Sequence, residues 1–139
     1  MPKLEYFIVT ESVSVDQFTN KISLFEVLET IHVPKFPAAF NRMFVVSAWN
    51  AEPGDESRDF QIQIKINPPD GSEPQTFEHN VPMPAARCRN IQCLQGIPFK
   101  CAGKFTIELS LNKEHFAFHT IDVELMPISG SETPAKPAG

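Results

Sequence analysis

The stretch Phe60-Gln-Ile-Gln-Ile-Lys-Ile66 places a large apolar residue at every second position and a polar residue between each pair. Successive side chains of a β-strand point to opposite faces, so this pattern predicts a strand with one face in a core and the other in water. Residues 105–112 repeat the pattern, with Phe105, Ile107, Leu109 and Leu111 at the apolar positions. Two half-buried strands of this kind are typical of antiparallel sheets.

Further strands are predicted on both sides of these two, in segments rich in aromatic and β-branched residues. They cover residues 4–11, 21–33, 43–49, 75–81, 90–97 and 116–125. Residues 43–49 are apolar at almost every position, which predicts a central strand. The apolar parity changes partway along 21–33 and along 116–125, so we expect a bend or a bulge in each of these strands.

Turn signals separate the predicted strands. Pro68-Pro-Asp-Gly71 is a turn sequence because Asp-Gly tolerates positive φ, and residues 112–115 predict a short hairpin between the last two strands. Residues 34–42 predict a longer connection with room for one helical turn. Seven to eight strands at this spacing indicate an all-β antiparallel sandwich, immunoglobulin-like or jelly-roll-like, with a closed barrel as the alternative.

The chain of 139 residues has the length of one domain. We expect the sandwich to occupy residues 1–127 and residues 128–139 to form a flexible tail, because the chain from Ser129 onward has no large apolar residue. No stretch approaches the roughly 18 apolar residues of a membrane span, and nothing at the start resembles a signal peptide. Three cysteines without an export signal then predict a cytoplasmic protein.

Composition and motifs argue against several classes of function. A net charge of −5 does not suit a nucleic-acid binder, which needs a basic face for phosphates. Cys88, Cys93 and Cys101 lack zinc-ligand spacing, so we expect small buried thiols and no metal or cofactor. Four scattered histidines and the absence of any nucleophile or phosphate-binding motif predict that the chain is not an enzyme.

One stretch stands out by its charge. Between Glu78 and Glu108 the sequence has no acidic residue, and it holds four basic ones: Arg87, Arg89, Lys100 and Lys104. A locally basic segment on an acidic protein can receive a carboxylate, a phosphate or an acidic partner surface. The alternative is that these side chains only balance the domain's own carboxylates. We take the four residues of this basic segment, 87–104, as the candidate binding residues.

Four segments together resemble a family of uncharacterised bacterial β-sandwich proteins. They are Lys3-Leu-Glu-Tyr6, Asn20-Lys-Ile-Ser-Leu-Phe-Glu-Val27, residues 31–37 and the strand-hairpin pattern of residues 103–125. The resemblance implies a small cytosolic bacterial domain without known activity. It supplies no catalytic residues.

The leading hypothesis from the sequence is a non-enzymatic binding or assembly module, with a protein partner or a second copy of the chain meeting the basic segment and a strand edge. The first alternative is a small-ligand or carbohydrate-binding sandwich with Trp49 as a stacking platform. An enzyme is the third, and it requires a pocket that gathers His79, His115 or His119 with a carboxylate. No nucleic-acid or membrane partner is expected.

Overall fold

The computed structural model describes residues 1–55, 58–82 and 86–127. The predicted tail, residues 128–139, lies outside the described residues. Within them the chain forms nine strands and no helix. The strands are β1 (Lys3–Val15), β2 (Ile22–Val27), β3 (Thr30–Val33), β4 (Ala38–Asn50), β5 (Asp59–Asn67), β6 (Gln75–Pro82), β7 (Arg87–Phe99), β8 (Gly103–Leu111) and β9 (Glu114–Leu125).

The strands form two sheets that pack face to face. One sheet has the order β2-β1-β4-β7 and the other has the order β3-β9-β8-β5-β6. All neighbours are antiparallel except β3 and β9, which run parallel. The predicted antiparallel sandwich is therefore confirmed against the barrel. The described residues hold nine strands where seven to eight were predicted.

The order of the strands is that of an immunoglobulin sandwich. Strands β1, β4 and β7 take the places of A, B and E in one sheet, and β9-β8-β5-β6 take those of G-F-C-C′ in the other. Among the described residues, no strand takes the place of strand D, which covers E in immunoglobulin domains. Along the described residues, β7 is consequently a sheet edge.

The core is built by the alternating strands that the sequence predicted. Strands β5 and β8 are neighbours, and their apolar residues face each other in register as Ile62–Leu111, Ile64–Leu109 and Ile66–Ile107. Each of these side chains is at most 4% exposed. Complete burial of an aliphatic side chain contributes about 1.5–3 kcal/mol, so this pair of strands supplies much of the driving force for folding.

The prediction of a central strand over residues 43–49 is also confirmed, since β4 lies between β1 and β7. Trp49 on this strand is 1% exposed, and its indole N–H donates to Ser47 Oγ at 3.0 Å. Its ring meets the edge of Phe116 from β9, with centroids 5.0 Å apart. Trp49 is therefore a core residue and not an exposed stacking platform.

Two local predictions were wrong. Residues 21–33 form two strands in different sheets, because the chain crosses from β2 to β3 at Leu28, whose backbone N–H donates to Val9 O at 2.9 Å. The parity change itself, from Leu24 to Phe25, lies inside β2, where Phe25 and Val27 are exposed, so it did not mark this crossing. In the connection 34–42 no helical turn forms, and β4 begins at Ala38. Strand β9 does contain a bulge, at residues 115–117 opposite Leu109 and Ser110, but it lies before the parity change between Phe118 and Ile121.

Candidate functional site

The four basic residues of the segment 87–104 lie in two separate places. Arg87 and Arg89 begin strand β7, Lys100 follows its end, and Lys104 lies on β8. At about 3.3 Å per residue, the eleven positions from Arg89 to Lys100 span roughly 36 Å of strand. The segment is therefore not one binding surface, and its two ends have to be described separately.

At the far end, the lysines lie beside carboxylates. Lys104 Nζ is 2.9 Å from Asp122 Oδ1, across the β8–β9 pair. Lys100 is exposed and lines a pocket together with Asp70 and Glu73. This end fits the interpretation that basic residues balance the acidic residues of the domain itself.

At the near end, Arg87 reaches across β4 to a carboxylate on β1. Its Nη2 atom lies 2.6 Å from both carboxylate oxygens of Glu5, and its Nε atom lies 3.0 Å from Oε1. This pairing raises the pKa of the Arg87 guanidinium. Both side chains are in contact with solvent, which screens the pair, so it contributes little to stability.

Arg89 has neutral partners only. Its Nη2 atom donates to the backbone oxygen and the side-chain Oδ1 of Asn20, both at 3.2 Å. Asn20 belongs to the turn of residues 16–21 that joins β1 to β2. Among the described residues, no carboxylate lies within 4 Å of the cationic groups of Arg89 or Lys21. The charge of Arg89 is half-buried and not neutralised by an ion pair.

The contact between Arg89 and Asn20 exists because the β1–β2 hairpin folds back over the four-stranded sheet. Strand β1 pairs with β4 from Lys3 to Thr10, and from Thr10 to Val15 it pairs with β2. The turn at the end of this hairpin is closed by hydrogen bonds from Asp16 N to Lys21 O and from Asn20 N to Asp16 O. It forms a wall beside the outer face of the sheet.

A groove of about 840 Å³ lies between this wall and the sheet. Its floor is Ala48, which pairs in register with Tyr6 on one side and with Arg89 on the other. The floor lies deep because the side chain of Ala48 is small, whereas the side chains of Tyr6 and Arg89 on either side of it are long. The remaining lining includes apolar Ile22 and Ile91 and the cationic Lys21 and Arg87. We call this site the outer groove.

The outer groove is suited to bind an anion that also has apolar parts. In the described part of the chain its lining has three cationic side chains and no carboxylate. The thiol of Cys88 also borders it, and burial raises the pKa of that thiol. A raised thiol pKa lowers the thiolate fraction at neutral pH and makes Cys88 a poor nucleophile.

The cysteine prediction was wrong in part. Cys93 is exposed on the outer side of β7, whereas Cys88 and Cys101 are half-buried, and all three are free thiols. Residues 96–98, which separate Cys93 from Cys101 in the sequence, lie inside β7. Within the described ranges, no three metal-ligating side chains come together, and no helix is long and apolar enough to cross a membrane.

The histidines are scattered, as the sequence indicated. His32 lies 3.2 Å from Glu124, His79 contacts Asn90, and His119 Nε2 is 2.6 Å from Leu28 O. Neither the outer groove nor the pocket beside Lys100 contains a histidine.

Sequence reasoning missed the wall of the outer groove. Tyr6, Asn20, Lys21 and Ile22 are far from the basic segment along the chain, and no local pattern brings them to Arg89. Asn20 gave a weak signal, because asparagine tolerates the positive φ that turns use. In the structure its φ is 60°. This signal predicts a turn but not what the turn contacts.

Two solved structures similar to this chain come from Pseudomonas species. Part of the Pseudomonas fluorescens alkylpurine DNA glycosylase AlkC, bound to DNA containing an abasic site analog, aligns with a TM-score of 0.58 and 9% identity. The alignment covers 88% of this chain and 30% of that one, so the chain spans less than a third of that enzyme. An immunoglobulin-like protein from Pseudomonas aeruginosa aligns with a TM-score of 0.38 and 14% identity, over 88% of this chain and 96% of that one.

At these identities the likeness concerns the fold alone. No curated protein matches the chain. A family of unknown function, DUF6941, matches residues 5–124, which is most of the sandwich. This match agrees with the resemblance to an uncharacterised domain family that the sequence motifs indicated. The chain belongs to the family of unknown function DUF6941.

Proposed function

We propose that this domain is a non-enzymatic binding module that takes an extended, acidic segment of a protein partner along the edge of β7 and over the outer groove. The observation that carries the proposal is the lining of the groove. It joins three cations to apolar side chains, without a lining carboxylate in the described residues, on a chain of net charge −5.

The charge of Arg89 supports this proposal most directly. A guanidinium has five N–H donors, and the contacts of Arg89 use Nη2 only, toward neutral oxygens. A carboxylate would add its own negative charge to such a contact and can accept two parallel N–H bonds from the guanidinium. A carboxylate that enters the groove therefore gains a charged partner that the chain itself does not occupy.

The edge of β7 supplies the second support. Exposed sheet edges present unpaired N–H and C=O groups, and an extended peptide can add to them as a further strand. Side chains of an added strand alternate between faces, so every second one lies on the same side as Arg87 and Arg89. The partner that fits is an extended segment with acidic residues at alternating positions.

The module is proposed to act in the bacterial cytoplasm, without nucleic acid or membrane as partner. Three free thiols and the acidic net charge support this placement. The groove offers cations, an amide and a weakly nucleophilic thiol, which favours binding over catalysis. Burial of Trp49 removes the main support for carbohydrate binding.

The test is fluorescence anisotropy with a labelled peptide of alternating Glu and Val. A second peptide, with Gln in place of Glu, is the matched probe. We expect the acidic peptide to bind, the neutral one to bind at least tenfold more weakly, and Arg89→Gln to reduce the difference. Lys113→Gln, in the β8–β9 turn, is the control and leaves binding unchanged. Equal binding of both peptides, or no effect of Arg89→Gln, contradicts the proposal.

A further inference from the structure

Phe18 is 89% exposed, more than any other large apolar residue in the described part of the chain. It lies in the turn between β1 and β2, and this turn is ordered by its own hydrogen bonds. The Oδ1 atom of Asp16 accepts from the backbone N–H of Phe18 at 2.8 Å and of Thr19 at 2.9 Å. The aromatic ring is thus presented to solvent by a defined backbone.

An isolated exposed apolar residue is common on protein surfaces and does not by itself indicate a contact. The second observation is a pocket at the opposite end of the sandwich, where the β5–β6 loop meets the β7–β8 loop. Its floor is Ile66 and Phe105, and its walls include Pro68, Pro74 and Pro98. We call it the end pocket.

The end pocket has the size and stiffness to hold an aromatic ring. Its volume is about 300 Å³, and an apolar cavity of about 150 Å³ is enough for benzene. Its two loops are in tight contact, because a Cβ added at Gly103 would lie 2.8 Å from Pro69 Cγ. Within the β5–β6 loop, Asp70 Oδ1 accepts hydrogen bonds from the backbone and the hydroxyl of Ser72.

The charges around the two features are complementary. Asp70 and Glu73 line the end pocket against one cation, Lys100. Lys21 ends the turn that presents Phe18, and within the described residues its ammonium has no carboxylate within 4 Å. An aromatic residue followed three positions later by a lysine therefore fits an apolar pocket with an acidic rim.

One chain cannot bring these features together. The turn contacts Arg89 at the start of β7, whereas Lys100 of the end pocket follows the end of the same strand. The two positions are roughly 36 Å apart along an extended strand. Phe18 therefore does not reach the end pocket of its own chain, whereas Phe18 of a second copy can.

We propose that Phe18 of one copy inserts into the end pocket of a second copy, with Lys21 facing Asp70 and Glu73. Each chain then carries an anchor at one end and a receptor at the other. Such a heterologous contact produces open head-to-tail chains, or rings where the rotation closes. The contact is small, so the association is weak and depends on concentration. This proposal does not rest on the function proposed for the outer groove.

The test uses two variants that each remove one half of the contact. Phe18→Ser removes the anchor, and Gln75→Trp fills the end pocket from the exposed edge strand β6. Sedimentation velocity over a range of concentrations gives the mass. We expect wild type to grow beyond the dimer and Phe18→Ser to associate about 30-fold more weakly or worse. Gln75→Trp is expected to remain monomeric over the same range of concentrations.

The decisive sample is the equimolar mixture of the two variants. It contains one intact anchor and one intact pocket, so it forms a heterodimer and nothing larger. A mixture that remains monomeric, or a wild type that is monomeric throughout, overturns the proposal. If Gln75→Trp alone still associates, Phe18 meets a different surface, and the proposal is equally wrong.

Two controls keep the result interpretable. Phe118→Ser removes another exposed phenylalanine, on β9, and leaves the association of wild type unchanged. Emission from buried Trp49 reports whether the two Phe variants are folded, and far-ultraviolet circular dichroism reports it for Gln75→Trp, which carries a second tryptophan. Phe18→Ser still binds the acidic peptide, so failure of assembly and failure of peptide binding are seen separately.

Discussion

The two ends of the segment 87–104 each hold two basic side chains, but the fold gives them different partners. At the end of β7 and on β8, Lys104 pairs with Asp122, and Lys100 shares a pocket rim with two carboxylates. At the start of β7, Arg87 pairs with Glu5, but Arg89 meets only the oxygens of Asn20, in a groove with an apolar floor. A run of basic residues in a sequence therefore does not show which of its charges are available to a ligand.

The largest expected effect separates the two ends directly. Arg87→Glu with Arg89→Glu should weaken binding of the acidic Glu-Val peptide by about tenfold to a hundredfold, because charge-assisted contacts in the groove are lost. Lys100→Glu with Lys104→Glu changes the net charge equally and should alter affinity less than about twofold. Anisotropy titrations at one fixed salt concentration measure the peptide affinity of both double variants.

Equal losses of affinity in the two double variants would show that peptide binding depends only on the net charge of the chain. The proposed difference between the two ends would then be wrong. Because a change in peptide affinity also follows from misfolding, both variants should first show wild-type emission from Trp49.

A smaller effect is expected at the turn that forms the groove wall. Asn20 has a φ of 60°, which glycine adopts freely and alanine does not. Asn20→Ala should lower the free energy of unfolding by about 1–2 kcal/mol, and Asn20→Gly by less than about half as much. Urea denaturation followed by Trp49 fluorescence measures the difference.

Both Asn20 variants lose the Oδ1 acceptor of Arg89, so the difference between them isolates the backbone conformation. If the two variants are equally stable, the turn is not held in this conformation in solution, and the groove wall is not a fixed feature.

The smallest effect concerns pH. Hydrogen bonds from the backbone N–H groups of Thr19 and Phe18 lower the pKa of Asp16. A group whose pKa is lowered on folding adds stability above its unfolded pKa, near 4, and this stability is lost as pH falls through the folded value. The Phe18 amide resonance should therefore stay unchanged from pH 7 to about 5 and shift only under more acidic conditions.

In Asp16→Asn the same NMR titration should show no acidic shift at Phe18. A shift of the wild-type resonance that is centred near neutral pH would show that another group controls the turn.

Much of the sandwich was predictable because strand alternation is a local property. The apolar positions of residues 60–66 and 105–111 are all buried in the core, and they lie on neighbouring strands. The hairpin after β8 was equally visible, since Asn112 and Lys113 take the positive φ values of a tight two-residue turn. The prediction of one strand over residues 21–33 was wrong, because the crossing at Leu28 depends on contacts that are distant in sequence, such as its hydrogen bond to Val9 O.

The candidate site was predictable only in part. The charge gap correctly drew attention to Arg87 and Arg89, yet it grouped them with Lys100 and Lys104, whose surroundings differ. The end pocket carried no signal at all, because its floor comes from β5 and β8 and its three prolines from β7 and the β5–β6 loop, which are separate in sequence. Phe18 appeared as an ordinary residue between two strands.

The sequence alone determined the all-β class, the two central half-buried strands and the turns between them. Each of these follows from side chains within a few residues of one another, where the period of two and the φ preferences of turn residues act. The tertiary structure alone decided that the β1–β2 hairpin folds over the four-stranded sheet, that β7 is an edge, and which carboxylates meet which cations. Those outcomes depend on pairing between strands that are distant in sequence. The energy of an ion pair likewise depends on the distance between the charges in the folded structure and not on their separation along the chain.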